Sequence, residues 1–260
     1  MSSSKTKSVV FVNGAWMSRG CWSDFQSPFQ AAGYTVHLLD WPGLDGDPAQ
    51  LRAQPPKGLG SLSIAAIVDH YAAFIQALPE PPLIIGHSFG GLFTQMLLER
   101  GLGVAGVAID PAPHAGIIPG PVSLSAAFPV LARFGAWARP FTLSKAAFDA
   151  TFANTAPPAL RDEAYNRLVV PTSGMIFLQA ASWIGSGVNP KQRMQPLLIT
   201  VGEKDRTVTP YVARAAYHNQ KASPAVTDFE EFPGVSHFLI AEPGWERVAR
   251  YVIDWADRVS

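Results

Sequence analysis

The chain has 260 residues, of which 48% are hydrophobic and 15% charged, so it can bury a large core and wholesale disorder is excluded. Its 20 basic residues balance 20 acidic ones and no run of Lys or Arg stands out, which argues against binding to DNA or RNA. Cys21 is the only cysteine, so an intrachain disulfide and a zinc site built from several thiolates are also excluded.

Short apolar runs alternate with segments of helical periodicity along most of the chain. This alternation predicts one α/β unit, with a mostly parallel six-stranded sheet and helices on both faces. Apolar residues at helical spacing predict helices over 64–78 and 245–259. The six runs that predict strands are 9–12, 35–39, 83–85, 104–109, 197–201 and 227–232.

The stretch from Pro111 to Gln195 breaks this alternation just before the last two predicted strands. It holds nine Phe, Tyr and Trp residues and helical fragments separated by Pro and Gly. Because a structureless loop of this length is implausible in a compact domain, we predict a helical lid over 111–195, inserted into a core formed by 1–110 and 196–260. Most of its aromatic residues are expected to form a satellite core.

A candidate nucleophile follows the third predicted strand. Ser88 is the centre of a G-x-S-x-G pattern, and a predicted helix follows from Leu92 to Arg100. A serine at such a sharp turn has a strained backbone, so glycines are needed where a side chain would collide with the neighbouring chain. The pattern is weak alone, and its strand-turn-helix setting makes it specific. The residues that form it are Gly86-His87-Ser88-Phe89-Gly90-Gly91.

A serine needs a base, and His237 is the strongest of six histidines. It follows the last predicted strand and precedes the last helix, where a side chain can reach over the carboxyl edge of the sheet. Its place in the chain order also fits a nucleophile, acid and base series. His114, after a strand end, is the serious rival. The others lie in a predicted strand, in helices or in the elbow itself, and they are His37, His70, His87 and His218.

The acid that orients the histidine is expected at the same edge. Asp205 follows the fifth predicted strand and precedes a helix start at Thr209-Pro210. Asp110 ends the fourth strand and is the main competitor, with Glu203 third. An aspartate after a strand is often only a helix cap or a turn residue, so spacing alone leaves this choice open.

Acyl transfer also needs donors for the developing oxyanion. The backbone N–H of Phe89, next to the nucleophile, is one candidate. The N–H of Ala15, in the loop after the first strand, is the other. Trp16, His114 and Trp183 are the candidates for contact with the substrate.

Together these segments resemble the α/β-hydrolase superfamily, and within it the small lid-bearing serine esterases and lactonases. The resemblance covers nearly the whole chain and implies a triad of Ser88, Asp205 and His237, an oxyanion hole from the N–H groups of Ala15 and Phe89, and no cofactor. The segments that carry it, in the family's order, are Asn13-Gly14-Ala15-Trp16, Asp40-Trp41-Pro42-Gly43, Gly86-His87-Ser88-Phe89-Gly90-Gly91, Gly202 with Asp205, and Ser236-His237-Phe238.

Two details refine the resemblance. Relatives usually have His-Gly where this chain has Asn13-Gly14, which is expected to alter loop geometry and substrate preference rather than the chemistry. Epoxide hydrolases and haloalkane dehalogenases of similar outline use an aspartate nucleophile, so Ser88 argues against both activities.

The expected function is therefore hydrolysis of a carboxylic ester or lactone through an acyl-enzyme. A lyase, a carbon-carbon bond hydrolase, a perhydrolase and a small-molecule receptor with little turnover are the alternatives on the same scaffold. The expected partner is a small-molecule substrate, with no nucleic acid and no membrane, and the expected location is the cytoplasm because neither a signal peptide nor a membrane helix is indicated.

Overall fold

One parallel sheet organises the molecule. The computed structural model describes residues 7–121, 123, 128 and 130–259. Six strands pair in the order β2-β1-β3-β4-β7-β8, and every pairing is parallel. The predicted α/β fold is therefore confirmed. The strands are β1 Lys7–Val12, β2 Tyr34–Leu39, β3 Leu83–His87, β4 Ala105–Ile109, β7 Leu197–Gly202 and β8 Thr227–Phe232.

The central strands are buried because a parallel sheet has helices on both faces and therefore lacks a polar side. Every residue of β3, β4 and β7 is buried. The register pairs Val12 with Gly86, His87 with Ile109, and Ile109 with Thr200. The strands β1, β3, β4 and β7 therefore end at one edge of the sheet, and the loops that follow them are brought together there.

Helices surround this sheet. Phe25 of the first helix contacts Trp245 at the start of the last, with ring centroids 6.3 Å apart. The third helix begins where the Ser63 hydroxyl accepts a hydrogen bond from the Ala66 N–H at 3.2 Å. The helices of six or more residues in this part are α1 Ser23–Ala31, α2 Pro48–Ala53, α3 Ile64–Gln76, α4 Phe89–Glu99, α7 Pro210–Gln220 and α8 Trp245–Val259.

The β4–β7 segment, residues 110–196, is irregular. It contains helices α5 Pro158–Leu168 and α6 Gly174–Ser182, and a helical turn, Lys145–Ala147, that continues as a π-helical turn, Phe148–Phe152. A pair of two-residue antiparallel strands, β5 Pro140–Phe141 and β6 Thr172–Ser173, was not predicted, because two residues are too few to show alternation.

The lid assignment stays a prediction. Positions 122, 124–127 and 129 of the predicted lid, and residues 1–6 and 260 of the predicted core, lie outside the described residues. No helix in the described part of the chain is long and apolar enough to cross a membrane.

A buried arginine joins the end of the β4–β7 segment to the core. Arg193 is 1% exposed. Its guanidinium donates to the Gln220 side chain at 2.9 Å, to the Gln220 carbonyl at 3.1 Å and to the Val226 carbonyl at 3.1 Å. These neutral acceptors satisfy its donors, so the segment is anchored where it returns to the sheet.

Candidate active site

Ser88 lies on the sharp turn between β3 and α4. Its backbone has φ 58° and ψ −122°, a strained conformation for a residue with a side chain. Glycines permit this turn, because a Cβ added to Gly90 would overlap the Val12 carbonyl, and one added to Gly86 would overlap the Gly90 carbonyl. The helix begins at Phe89, three residues before the predicted start, since close packing against β1 requires glycine in its first turn despite the weak helix propensity of glycine.

His237 lies in the loop between β8 and α8 and is fully buried. Its Nδ1–H donates to Asp205 Oδ2 at 2.6 Å. Its Nε2 has no hydrogen-bond partner among the residues described. Because Nδ1 carries the hydrogen, Nε2 has the lone pair that a general base needs. Burial lowers the pKa of His237 to about 3, so the imidazole is neutral at pH 7.

His87 connects the serine turn to the histidine loop. Its Nε2–H donates to the His237 carbonyl at 2.8 Å, and the two imidazole centroids are 4.5 Å apart. Burial lowers the pKa of His87 well below its usual value, so this ring is neutral as well. The residue before Ser88 is therefore in contact with His237, and both candidate catalytic residues lie at one edge of the sheet. No hydrogen bond joins Ser88 Oγ to His237 Nε2 in this structure, and their pairing during catalysis stays a prediction.

Asp205 is the carboxyl group that meets the histidine. Besides the His237 N–H, it accepts the Thr207 N–H at 2.7 Å and the Val208 N–H at 2.8 Å on Oδ1. Burial raises the pKa of Asp205, and these two backbone donors oppose that effect. Three donors on one carboxyl group stabilise its ionised form.

The other two acid candidates are placed differently. Asp110 is fully buried at the end of β4, but its Oδ2 lies 3.7 Å from His237 Nδ1, beyond hydrogen-bond distance. Glu203 is on the surface, where its carboxylate pairs with Lys204 at 2.9 Å and accepts the Gly234 N–H at 2.8 Å. Of the three candidates, only Asp205 is hydrogen-bonded to His237.

An apolar cavity of about 250 Å³ opens beside Ser88. Trp16 and Phe89 each contact Phe177 in its wall, with ring centroids 4.9 Å and 5.3 Å apart. Charged side chains are absent from the wall as far as the chain is described. Its lining includes Ala15, Trp16, Ser88, Phe89, Phe177, Trp183, Thr207 and Val208.

The structure places the predicted oxyanion and substrate residues as follows. Ala15, Phe89, Trp16 and Trp183 border this cavity. Phe89 is the first residue of α4, so its N–H has no acceptor within the helix. His114 instead borders a neighbouring cavity, and its Nδ1–H donates to the Ala115 carbonyl at 2.7 Å.

Asn13 holds the loop that carries Ala15. Its side-chain N–H donates to the Met17 carbonyl at 2.6 Å, and its Oδ1 accepts the Tyr71 hydroxyl at 2.9 Å. The Asn13 carbonyl accepts the Trp41 indole N–H at 3.0 Å. Gly14 follows, and a Cβ there would lie 2.6 Å from the Ser88 Cβ. The asparagine thus fixes a loop that passes directly against the serine.

Sequence reasoning missed Glu242, which is 1% exposed. It accepts the Ser236 N–H at 2.5 Å, the Ser236 hydroxyl at 3.0 Å and the Thr155 hydroxyl at 2.7 Å. It therefore ties the loop that carries His237 to the β4–β7 segment. The available signal was a lone glutamate at the end of the apolar run Phe238-Leu239-Ile240-Ala241.

His87, Asp110 and His237 also place potential metal-ligand atoms within 4.8 Å of one another. The two nitrogens that face Asp110 are His87 Nε2 and His237 Nδ1. Both carry hydrogen, because each donates to an oxygen atom. The cluster therefore offers N–H groups at the positions where a metal ion needs lone pairs.

Comparison with known proteins gives consistent matches. A model of the alpha/beta hydrolase family matches residues 9–251. Methylesterase 10 of Arabidopsis thaliana is 28% identical over 93 residues, which cover 35% of this chain and 31% of that relative. The match therefore spans about a third of the curated relative.

Solved structures match over nearly the full length. A monoacylglycerol lipase of Paleococcus ferrophilus has a TM-score of 0.72 at 22% identity, covering 97% of this chain and 95% of that one. A methylesterase of Arabidopsis has a TM-score of 0.71 at 14% identity, covering 96% and 99%. At these identities the likeness concerns the fold.

Proposed function

Because the chain belongs to the alpha/beta hydrolase family, we propose that it is a serine hydrolase that cleaves a carboxylic ester or lactone through an acyl-enzyme on Ser88. The observation that carries the proposal is the buried His237–Asp205 hydrogen bond of 2.6 Å, which leaves His237 Nε2 free. An imidazole held in this tautomer beside a strained serine is the arrangement that activates a hydroxyl nucleophile.

In the acylation step, Ser88 Oγ attacks the ester carbonyl carbon while its proton passes to His237 Nε2. The Asp205 carboxylate stabilises the imidazolium that forms. The N–H groups of Ala15 and Phe89 stabilise the oxyanion. When the tetrahedral intermediate collapses, His237 gives the proton to the departing alkoxide, and the acyl group remains on Ser88.

In the deacylation step, water attacks the acyl carbon and loses a proton to His237 Nε2. The second tetrahedral intermediate then expels Ser88 Oγ, which takes that proton back, and the acid leaves. His237 begins and ends each step neutral, because it returns to the departing oxygen the proton that it accepted.

The cavity favours an uncharged substrate with an apolar group. Trp16 and Phe177 supply aromatic surface beside the serine, and a cavity of about 250 Å³ suits a small or medium ester. We propose that the predicted lid, 111–195, closes over this group with Trp183 at its rim. His114 borders the neighbouring cavity. Ile118 lines both cavities, so a longer substrate can extend from the first cavity to His114.

The test is turnover of p-nitrophenyl butyrate by the wild type, by Ser88→Ala and by the surface control Ser61→Ala. We expect Ser88→Ala to lose activity by about 10⁴-fold or more and Ser61→Ala to keep it. A fluorophosphonate should label the wild type at Ser88, as located by mass spectrometry. Equal turnover by the wild type and Ser88→Ala, with no label on Ser88, would contradict the proposal and favour the receptor alternative.

A further inference from the structure

A second carboxyl group lies beneath the His237–Asp205 pair and has no place in the mechanism above. Asp110 is fully buried, and its backbone is in the left-handed region with φ 45°. Its Oδ1 accepts the Gly202 N–H at 2.8 Å. Its Oδ2 receives no N–H or hydroxyl hydrogen from the residues described, although it is buried. A buried polar atom of this kind requires an explanation.

The nearest N–H groups cannot satisfy Asp110 Oδ2. His237 Nδ1 lies 3.7 Å away and directs its hydrogen to Asp205. His87 Nε2 lies 3.9 Å away and directs its hydrogen to the His237 carbonyl. The polar group beside it is the Asp205 carboxyl, because Asp205 Oδ2 and Asp110 Oδ2 lie 2.6 Å and 3.7 Å from the same atom, His237 Nδ1. Two carboxyl groups can form a hydrogen bond only if one of them holds a proton.

The surroundings favour a single negative charge on this pair. The titratable groups that face Asp110 are the two neutral imidazoles, Asp205 and, farther off, Glu242. Two buried carboxylates in contact without a cation repel each other and lose solvation. Among the residues that the structure describes, Asp205 accepts hydrogen bonds from three N–H donors and Asp110 from one. The negative charge is therefore better stabilised on Asp205, and the proton belongs on Asp110.

We propose that Asp110 is a positioning residue, a neutral carboxylic acid whose O–H donates to the Asp205 carboxylate and orients it toward His237. The positioning role rests on the proposed hydrolase function, whereas the protonation state does not. Burial and the adjacent Asp205 carboxylate raise the pKa of Asp110 well above its usual value, in agreement with this assignment. The pair then carries one charge, and the orphaned oxygen becomes the donor.

Asp110→Asn is the conservative variant. Its amide donates to Asp205 and its carbonyl accepts the Gly202 N–H, and asparagine tolerates a positive φ. We expect kcat within about threefold of the wild type and no shift in the acid limb of kcat/KM. Asp110→Ala removes the donor, which leaves more negative charge facing His237. Its acid limb should move up by about one pH unit, because a hydrogen bond to a charged group is worth about tenfold or more.

The deciding measurement does not depend on activity. Urea unfolding of the wild type, Asp110→Asn and the surface control Asp254→Asn is followed between about pH 5 and 8, where an unfolded aspartate is ionised. If native Asp110 holds a proton, the wild-type unfolding constant should rise about tenfold per pH unit relative to Asp110→Asn. The ratio for Asp254→Asn should not change with pH. A flat ratio for Asp110→Asn overturns the proposal.

A second readout covers the case in which unfolding is irreversible. In native protein labelled with ¹³C at the aspartate carboxyl carbons, the resonance lost in Asp110→Asn should have the chemical shift of a protonated acid at pH 7. A carboxylate shift at that pH refutes the assignment. If Asp110 is protonated but the protein hydrolyses no ester in any assay, the proposed function is refuted, whereas the protonation state proposed for Asp110 is retained.

Discussion

Replacing Asp205 by asparagine should disable the histidine without disturbing the fold. The backbone N–H groups of Thr207 and Val208 need an acceptor, so the introduced amide should turn its oxygen toward them. Its NH₂ group then takes the place of Oδ2, which is 2.6 Å from His237 Nδ1. A donor facing Nδ1 forces the ring hydrogen onto Nε2. His237 can then no longer accept the proton of Ser88.

The expected magnitude follows from what is lost. The substitution removes the correct tautomer and the charge that stabilises the imidazolium, which together are worth about 10⁴-fold in kcat, or about 5 kcal/mol of transition-state stabilisation. Two of the three N–H donors to the side chain keep their acceptor. The buried negative charge disappears, so we expect the free energy of unfolding to change by no more than about 1 kcal/mol.

The assay compares kcat for p-nitrophenyl butyrate and the urea midpoint in Asp205→Asn and Asp110→Asn. The two variants are matched, because each changes one buried carboxyl to an amide at the same edge of the sheet. Near-normal kcat in Asp205→Asn together with a loss of about 10⁴-fold in Asp110→Asn would refute the reasoning. Asp110 would then be the acid that serves His237.

Three further outcomes are expected. Gly90→Ala should lower the free energy of unfolding in urea by at least about 3 kcal/mol, because the added Cβ overlaps a backbone carbonyl of β1. Gly187→Ala places its Cβ in open space and should be neutral. Equal stability of the two variants would contradict the packing argument. Glu242→Ala should destabilise the protein by about 3 kcal/mol and lower kcat, since it leaves buried donors of Ser236 and Thr155 unpaired. An unchanged free energy of unfolding together with an unchanged kcat would refute this prediction. The buried His87 and His237 have lowered pKa values, so the stability that they confer is complete above about pH 6.5. As the pH decreases below that value, the free energy of unfolding should fall by about 1.4 kcal/mol per pH unit for each ring. A neutral Asp110 has the opposite effect, of about 1.4 kcal/mol per pH unit, so it offsets the loss from one ring. Urea unfolding at pH 7 and 5 should show the net loss, and greater stability at pH 5 would contradict it.

Local patterns carried the predictions that the structure confirms. Short runs of β-branched and apolar residues predict the six strands, and a strand and a helix that are contiguous in the chain predict the sharp turn at residue 88. The catalytic role of Ser88 stays a prediction. The choice between Asp205 and Asp110 could not be made in this way. Both follow neighbouring strands, and their distances to His237 depend on the register of β4 with β7 and on the turn after β7.

Long-range packing accounts for what was missed. Glu242 and Arg193 have charged side chains that a sequence pattern assigns to the surface. In the structure each is buried because its partners come from distant segments, at Thr155 and Ser236 for the glutamate and at Gln220 and Val226 for the arginine. The start of α4 was placed too late because glycine is a poor helix former, although only glycine fits there.

The β4–β7 segment leaves and rejoins the sheet on adjacent strands, with Gly106 opposite Leu197. The segment leaves at the carboxyl end of β4 and returns at the amino end of the parallel strand β7, so it crosses the sheet from one edge to the other. Because loop-closure entropy grows only slowly with length, lengthening, shortening or exchanging the segment adds little closure entropy, and the pairing of β4 with β7 keeps the strand register. The walls of the cavity can therefore diverge while the turn at Ser88 and the loop at His237 are inherited intact. Grafting this segment from a relative is accordingly a direct route to a new ester preference.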